Sequence, residues 1–406
     1  MNFLNINEYD YYLPAEKIAK FPLETRDNSK LLIYNGQEIS ETVFNKIDEI
    51  IPQNSLLVFN NTKVIKARLF FYKQTGAQIE ILCLEPYNPS NVEDAFQQTE
   101  FSDWICMVGN LKKWKDDKIS SVIDVNNIKT TVYASIIQRL DENLIIRFSW
   151  NNKDFTFADI LNNIGQIPIP PYLEREAEEI DNERYQTVYS QNKGSVAAPT
   201  AGLHFTEELL NKLSDKGIKK VELTLHVGAG TFKPVKNNEI TEHKMHTEHF
   251  SISKKALLEI CEFSGHIIAV GTTTVRTLES LYISAIKMKN NADFRKTEQW
   301  DGFKYTSQEP FNEALKNIVQ YMEKNNIETF EAETSLMIIP EYKFNIIDGL
   351  ITNFHQPRST LLMLIAAFSG KYWKEIYEYA LIKNYRFLSY GDSSFLYNEK
   401  KIKNFL

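Results

Sequence analysis

Cysteine is scarce in this chain of 406 residues, and the three cysteines present lie far apart in the sequence. Cys83, Cys106 and Cys261 form no CxxC pair, which argues against a disulfide framework, a zinc ribbon and an iron–sulfur cluster. An isolated cysteine behaves in a folded protein as a small apolar side chain. We therefore expect all three cysteines to be buried in the core.

Long apolar segments and an excess of positive charge are also missing. No stretch approaches the roughly 18 apolar residues that a membrane-spanning helix requires, and the start of the chain lacks the basic and apolar segments of a signal peptide. We therefore expect a cytoplasmic protein that does not contact membranes. A net charge of −7 gives no general attraction to polyanions, so a nucleic-acid surface would have to be a local patch.

The composition that is present is typical of a globular protein, with 43% hydrophobic and 24% charged residues, and the length favours two or three domains. Short β-type runs without a convincing helix between them fill residues 68–155, which predicts an inserted small antiparallel β-barrel or β-sandwich. Residues 1–67 and 156–406 mix helix and strand patterns and predict an α/β main domain. The expected fold class is therefore mixed α and β, in two domains.

Local patterns also predict individual elements. Apolar runs bounded by turn residues predict strands at 78–84, 104–108, 130–137 and 144–150 in the insert, and at 31–34, 56–59, 221–227, 267–270, 350–352 and 386–390 in the main domain. Capped or amphipathic segments predict helices at 206–216, 310–325 and 360–368. The polar segment 284–333 is expected to be a peripheral excursion of the main domain.

The segment SVAAPTAGLHFTEELL joins small residues to a predicted helix start. Pro199, Thr200, Gly202 and His204 come just before that helix, where free backbone N–H groups and the helix dipole favour an anion or a polarised oxygen. A tight turn with a capping histidine accounts for the same residues. This segment therefore leaves a ligand loop and a structural turn as alternatives.

The segment LTLHVGAGTF carries His226 in a predicted strand, followed by Gly228, Gly230 and Thr231. Two glycines this close suggest backbone conformations or ligand contacts that a Cβ atom would obstruct. The third glycine and the following helix of a dinucleotide-binding fingerprint are absent, so the pattern is weak evidence for a nucleotide. We treat these four residues as candidate site residues.

Three histidines at intervals of three residues, His243, His246 and His249, lie in EHKMHTEHF and raise a zinc hypothesis. Zinc motifs such as HExxH place two histidines four residues apart on one helical face. This segment instead ends in HFSIS, which has the alternation of an extended strand. A place in a substrate site and a structural role are the alternatives to metal binding.

The strongest local pattern is AVGTTTVRTLES, in which a predicted strand ends at Gly271 and a helix begins. Thr272 and Thr273 lie at the helix start, and Arg276 lies one turn later. Such an arrangement is suited to holding a carboxylate or a phosphate.

A similar helix start follows at NFHQPRS, which contains Asn353, His355, Arg358 and Ser359. Two such helix starts suggest one shared polar ligand, and ion pairing is the alternative role for the arginine of either segment. In the last short segment, LSYGD, Asp392 either binds a ribose hydroxyl or serves the turn.

Taken together, these segments resemble the S-adenosylmethionine:tRNA ribosyltransferase-isomerase family of queuosine biosynthesis. The resemblance also rests on YDYYLPAEKIAKFPLETRDNSKLL, LLVFNNTKVIKARLF, GQIPIPPY, ERYQTVYS and YRFLSYGD, so it covers most of the chain. It implies a monomer of two domains with an inserted β-barrel. This agrees with the boundaries placed near residues 68 and 155.

The resemblance implies that the ribosyl group of S-adenosylmethionine is transferred to 7-aminomethyl-7-deazaguanine in the anticodon of tRNA. The product would be epoxyqueuosine, with release of adenine and methionine. S-adenosylmethionine would thus be consumed as a ribosyl donor, no metal would be required, and tRNA carrying the deazaguanine precursor would be the partner.

The implied chemistry needs removal of a proton beside the sulfonium, attack of an amine on the ribose, and departure of adenine helped by a proton or a hydrogen bond. Histidine suits such exchanges near neutral pH. We therefore expect acid/base or orienting groups from His204, His226, His246 and His355. The methionine carboxylate or a tRNA phosphate is expected to bind Arg276, Arg358 and the two helix starts.

Several positions depart from the family pattern. Glu341 stands where a glycine is usual, Asn61 stands where aspartate is frequent, the segment WICMVGNLKKWKDD lacks an Arg-Pro step, and the excursion 284–333 is longer than expected. These departures bear on RNA contacts of the insert more than on the core reaction. A metal hydrolase using the three spaced histidines and a non-catalytic RNA-binding β-module protein remain as alternative hypotheses.

Overall fold

The computed structural model describes residues 5–73, 75–115, 117–125, 128–140, 143–228 and 239–398. Its strands are β1 Lys30–Tyr34, β2 Ile39–Val43, β3 Ser55–Asn60, β4 Thr62–Val64, β5 Arg68–Tyr72, β6 Gln78–Asn88, β7 Phe101–Gly109, β8 Lys118–Val125, β9 Ile128–Arg139, β10 Leu144–Trp150, β11 Gly165–Gln166, β12 Asn192–Ser195, β13 Lys219–Leu225, β14 Glu248–Ser253, β15 His266–Val270, β16 Lys296–Thr297, β17 Thr329–Thr334, β18 Gly349–Asn353 and β19 Ser393–Tyr397.

Helices connect these strands, and short 3-10 turns supplement them. The α-helices are α1 Ile47–Ile50, α2 Val92–Gln97, α3 Phe157–Ile164, α4 Asp181–Arg184, α5 Glu207–Asp215, α6 Lys254–Glu262, α7 Thr272–Lys289, α8 Asp301–Lys304, α9 Phe311–Lys324, α10 Thr360–Ser369 and α11 Trp373–Ile382. The predicted mixture of α and β structure is confirmed. None of the described helices is long and apolar enough to cross a membrane.

A sheet of ten strands forms the larger part of the protein, in the order β16-β17-β14-β13-β3-β15-β18-β19-β1-β2. Its central strands β13, β3, β15 and β18 are parallel. Strands β3 and β18 are buried along their whole length, as expected for parallel strands that are covered on both faces. Because the four central strands share one direction, their carboxyl ends meet at one edge of the sheet, where ligands of α/β proteins commonly bind.

A second, antiparallel sheet has the strand order β11-β5-β6-β7-β10-β9-β8. Burial alternates along β6 and β9, so one face of this sheet covers a hydrophobic core of its own. Phe157 of α3 packs in that core against Trp104, Phe148 and Trp150, with ring centroids 5.4 to 5.9 Å apart. Cys83 and Cys106 are buried there, and Cys261 is buried in the main core, which confirms the prediction for the cysteines.

The insert contains one helix that the sequence interpretation missed. Helix α2 follows β6, and the side chain of Asn91 caps it by accepting hydrogen bonds from the backbone N–H groups of Glu93 and Asp94. Ala95 and Phe96 turn inward to the core of the second sheet. The helix is only six residues long, so its periodicity is too short to stand out among strand patterns.

The expectation that residues 284–333 form a peripheral excursion is wrong. Strand β17 pairs with both β14 and β16 and thereby belongs to the ten-stranded sheet. Leu315, Ile318 and Met322 on one face of α9 are fully buried in the main core. None of the polar side chains of α9 is buried, whereas Lys287 and Asp301 of the same segment form a buried ion pair at 2.8 Å.

The predicted strand at 386–390 is also wrong. Leu388 has a positive φ of 69°, and residues 386–390 form turns apart from an isolated bridge between Phe387 and Ile18. The carboxylate of Asp392 accepts hydrogen bonds from the backbone N–H groups of Arg386 and Lys30, at 2.7 and 2.9 Å. The carboxylate thus accepts from backbone N–H groups that would otherwise need the carbonyl groups of a neighbouring strand. Strand β19 begins at the next residue.

Candidate active site

A deep cleft lies at the edge of the main sheet where β15 and β18 end. We call it the main cleft. It brings together site residues predicted from four separate segments: Pro199, Thr200, His246, Gly271, Thr272, Thr273, Arg276, Asn353, His355 and Ser359. The two predicted helix starts thus line one cleft, and the shared polar ligand expected for them stays a prediction.

The two helix starts are built by short-range backbone geometry. Gly271 connects β15 to α7 with a φ of 92°, a conformation that other residues adopt only at a cost. At the second start, the hydroxyl of Ser359 caps α10 by accepting a hydrogen bond from the backbone N–H of Leu362 at 3.2 Å. Helix starts carry free N–H groups and a partial positive charge, so both favour an anion in the main cleft.

Arg276, on the first turns of α7, is a buried cationic group in the lining of the main cleft. Its Nη1 donates to the Oε2 atom of Glu248 at 2.7 Å, and the two side chains are only 5% and 4% exposed. Within the described residues, Nε and Nη2 of Arg276 are buried without a hydrogen-bond partner. These two atoms share one edge of the guanidinium group, which is the geometry of a bidentate bond to a carboxylate. The arrangement can therefore receive an anionic ligand.

His355 lies at the end of β18 in the floor of the main cleft. Its Nε2 atom is 3.1 Å from the hydroxyl of Thr352, and its backbone N–H donates to Tyr377 Oη at 3.0 Å. Burial lowers the pKa of His355 to about 3. The ring is therefore neutral near pH 7.

His204 and His226 lie outside the main cleft. His204 packs against Phe44, with its Nδ1 atom 2.8 Å from the hydroxyl of Ser29, while His226 Nδ1 is 3.1 Å from that of Thr62. Burial lowers the pKa of each ring to about 4. Both predicted catalytic histidines are therefore neutral near pH 7 and engaged with hydroxyl groups of the scaffold.

The spaced histidines have different surroundings. His243 and the exposed His246 line the main cleft, whereas the exposed His249 lies on β14 with its Nδ1 atom 3.6 Å from Glu333 Oε1. Burial, and then the nearby His246, lowers the pKa of His243. In the described part of the chain, no three His, Cys, Asp or Glu side chains are grouped as metal ligands would be.

The remaining predicted residues are placed elsewhere. A Cβ atom on Gly202 would lie 1.9 Å from Tyr189 Oη, so close packing accounts for this glycine, whereas no atom in the described part of the chain lies within 4 Å of that position on Gly228. Arg358 has a positive φ of 53° and does not line the main cleft; nor does Asp392, whose carboxylate binds backbone N–H groups. Gly230 and Thr231 fall outside the described residues.

The structure adds lining residues that sequence reasoning missed. Glu248 is the most important, and a signal for it existed: in EHFSIS it shares the buried face of the strand with Phe250 and Ile252. An acid on such a face needs a cationic partner. Tyr172 also lines the cleft, with its hydroxyl 2.5 Å from Ser389 Oγ, and burial raises its pKa to about 12.

The fold and the cleft define an α/β protein whose cleft, at the carboxyl edge of its parallel strands, is lined by two helix starts and a buried arginine. The chain belongs to a family described as "Queuosine biosynthesis protein", whose sequence profile matches residues 6–396.

Relatives from several bacteria support this assignment. Proteins named S-adenosylmethionine:tRNA ribosyltransferase-isomerase from Francisella tularensis subsp. mediasiatica and Trichlorobacter lovleyi are each 37% identical to this chain. The two alignments cover 97% and 96% of this chain and 100% and 98% of the relatives. A crystal structure of S-adenosylmethionine tRNA ribosyltransferase from Thermotoga maritima is 30% identical, covers 96% of this chain and 99% of its own, and has a TM-score of 0.46.

Proposed function

We propose that this protein transfers the ribosyl group of S-adenosylmethionine to 7-aminomethyl-7-deazaguanine in the anticodon of tRNA and isomerises it. The products are epoxyqueuosine in the tRNA, adenine and methionine. Family membership and the names of the relatives support this reaction. The observation within this chain that carries the proposal is the main cleft, where two helix starts and the free edge of Arg276 face one space.

S-adenosylmethionine is a consumed substrate in this proposal. Its methionine carboxylate pairs with Nε and Nη2 of Arg276, while Nη1 donates to Glu248. Apolar residues of the same lining, including Met337 and Leu388, suit the adenine ring. The cleft is open to solvent at its mouth, and a nucleotide of the RNA would enter from that side.

The histidines take different roles in this proposal. A general acid or base works best when its pKa is near the operating pH. The low pKa values of His355, His204 and His226 therefore favour orienting roles, in which a neutral ring donates or accepts a hydrogen bond. His246 is exposed and lines the cleft, and it is the better placed of the four for proton transfer.

The proposed domain boundaries follow the path of the chain through the second sheet, whose core also takes in Phe157, Ile160 and Leu161 of α3. Residues 1–67 and 156–406 form the catalytic domain, and residues 68–155 form an inserted barrel-like domain with the antiparallel sheet around its own core. We further propose that the protein acts as a monomer in the cytoplasm. The tRNA then contacts the catalytic domain at the main cleft.

The direct test incubates the protein with S-adenosylmethionine and an anticodon stem-loop RNA that carries the deazaguanine precursor. We expect adenine to be released in equal amount to a new modified nucleoside in the RNA. Substitution of Arg276 by Gln should lower kcat/KM for S-adenosylmethionine by roughly tenfold or more, because a charge-assisted bidentate contact is lost. Arg295→Gln is the control, because Arg295 is exposed, lies outside the main cleft and donates to a backbone carbonyl. Absence of adenine release by the unmodified protein contradicts the proposal.

A further inference from the structure

Several of the segments that carry the family resemblance meet outside the main cleft, around a second and smaller pocket. Arg26 and Ser29 come from LETRDNSK, Arg184 from ERYQTVYS, His204 from AGLHFT and Tyr390 from LSYGD. We call this space the arginine pocket. It adjoins the main cleft, because Ser389 lines both.

The two arginines of the pocket form no ion pair with an acidic side chain among the described residues. Arg26 Nη1 donates to the backbone carbonyl of Gln186 at 3.1 Å, and Arg184 donates to those of Leu23 and Glu24 at 2.5 and 2.9 Å. No ion pair involves either side chain in the described part of the chain. Both cations thus donate to backbone carbonyls, and the nearby carboxylates that act on Arg26 form no ion pair with it in the described residues.

Acidic groups lie nearby, and the most deeply buried of them is already bound. Asp181 accepts hydrogen bonds from Arg175 and from the hydroxyl of Tyr390, each at 2.7 Å. Burial lowers the pKa of Arg26, and the neighbouring Arg184 lowers it further, while Glu183 and Asp27 act in the opposite direction. An anion between the two guanidinium groups would relieve their repulsion.

His204 adds a buried polar group to the arginine pocket. It is 4% exposed and lines the arginine pocket, and within the described residues its Nε2 atom has no hydrogen-bond partner. Its other nitrogen, Nδ1, is 2.8 Å from the Ser29 hydroxyl. The side chain of Asn353 and the backbone of Arg26 also act on this ring as hydrogen-bonding neighbours. His204 is therefore a polar wall of the pocket, and the arginine pair is the observation that favours an anion there.

We propose that the arginine pocket binds one phosphodiester group of the RNA substrate, beside the nucleotide that enters the main cleft. Guanidinium pairs are the usual partners of phosphate oxygens, and contacts to the RNA backbone set the register of a bound strand without reading its sequence. The inference rests on the proposed function, because it assumes that an RNA lies in the adjoining cleft. It gives His204 and both arginines a role in positioning the RNA.

The test measures affinity for the anticodon stem-loop RNA at several salt concentrations, with Arg26→Gln, Arg184→Gln and the exposed control Arg295→Gln. We expect each pocket variant to bind the RNA roughly tenfold more weakly. The slope of log Kd against the logarithm of the salt concentration should fall by the amount that corresponds to about one phosphate contact. RNAs with a single neutral methylphosphonate are then scanned. A methylphosphonate at one position of the RNA should weaken binding by the unmodified protein and leave the affinity of Arg26→Gln unchanged.

Further readouts separate a pocket defect from misfolding and from other phosphate sources. Arg26→Lys keeps the positive charge and should therefore bind the RNA more tightly than Arg26→Gln. A merely structural defect would weaken both variants equally. Pocket variants that match Arg295→Gln in affinity and salt dependence overturn the inference. A second result also overturns it: inorganic phosphate stabilises the unmodified protein but not Arg184→Gln, and no methylphosphonate position affects RNA binding. The pocket would then bind free phosphate rather than the RNA. If the unmodified protein makes no modified nucleoside, the proposed function fails instead.

Discussion

At the scale of single residues, two glycines of the predicted ligand loops differ in what surrounds them. Gly202 faces the hydroxyl of the buried Tyr189, and an added Cβ atom would lie 1.9 Å from it, while no atom of the described residues lies within 4 Å of that position on Gly228. Gly202→Ala should therefore lower the free energy of unfolding by about 1–3 kcal/mol, because overpacking displaces a rigid ring. Gly228→Ala is the matched control in urea titrations and should change it little. Equal losses in both variants would contradict this account.

Buried histidines make a second prediction at this scale. The pKa of His355 is about 3 in the folded protein, against an ordinary value of 6.5. As pH falls below about 6.5 the unfolded chain binds a proton at this position and the folded protein does not, so stability is full at higher pH and is lost on acidification. The loss is about 2 kcal/mol between pH 7.5 and 5.

Urea unfolding of His355→Gln at these two pH values tests the prediction. This variant should lose about 2 kcal/mol less on acidification than the unmodified protein. Arg295→Gln removes no group that titrates in this range and serves as the control. The same acid-induced loss in both variants would show that His355 is not neutral in the folded protein.

The sequence predicted several cleft residues because each follows a local rule for helix starts. Gly271, Thr272 and Ser359 are examples, since they depend only on the strand-to-helix turn in which they lie. The pairing of Arg276 with Glu248 was beyond such rules. It joins residues on two elements, 28 positions apart, and depends on how α7 packs over β14. His204 was misplaced for the same reason, because its burial beneath Phe44 is a tertiary contact.

At the scale of elements, helix α9 tests whether residues 284–333 are integral to the main domain. Ile318 is fully buried on its inner face, while Gln320 is exposed on the outer face. Ile318→Ala should lower the free energy of unfolding by about 2–5 kcal/mol, because it leaves a cavity in the core. Gln320→Ala should stay within about 0.5 kcal/mol of the unmodified protein. A small effect of Ile318→Ala would restore the peripheral interpretation.

The elements that the sequence predicted well are those with a strong period or cap of their own. Strand β10 occurs at the predicted residues, and α5 begins after the predicted cap at Thr206. The predictions failed where contacts with residues distant in the sequence determine the local structure. Apolar RFLSY resembles a strand, but the carboxylate of Asp392 holds its backbone in turns. The pairing of β17 with β14 left no signal in the polar sequence around it.

At the scale of the whole molecule, the separate core of the second sheet predicts that the insert can fold alone. A fragment of residues 65–166 contains nearly all of that core, including the aromatic cluster around Phe157. We expect this fragment to unfold in one cooperative transition in urea, and Phe157→Ala to weaken it by about 3–5 kcal/mol. A fragment without a cooperative transition would argue that 68–155 is not a domain.

The central claim is that the ribose of S-adenosylmethionine becomes part of the RNA. The most direct measurement uses S-adenosylmethionine labelled with carbon-13 in every ribose carbon, together with the precursor-containing stem-loop, followed by mass analysis of the digested nucleosides. The account predicts that all labelled carbons appear in the modified nucleoside and that the released adenine and methionine are unlabelled. A nucleoside without the label, or label found only in small molecules, would contradict it.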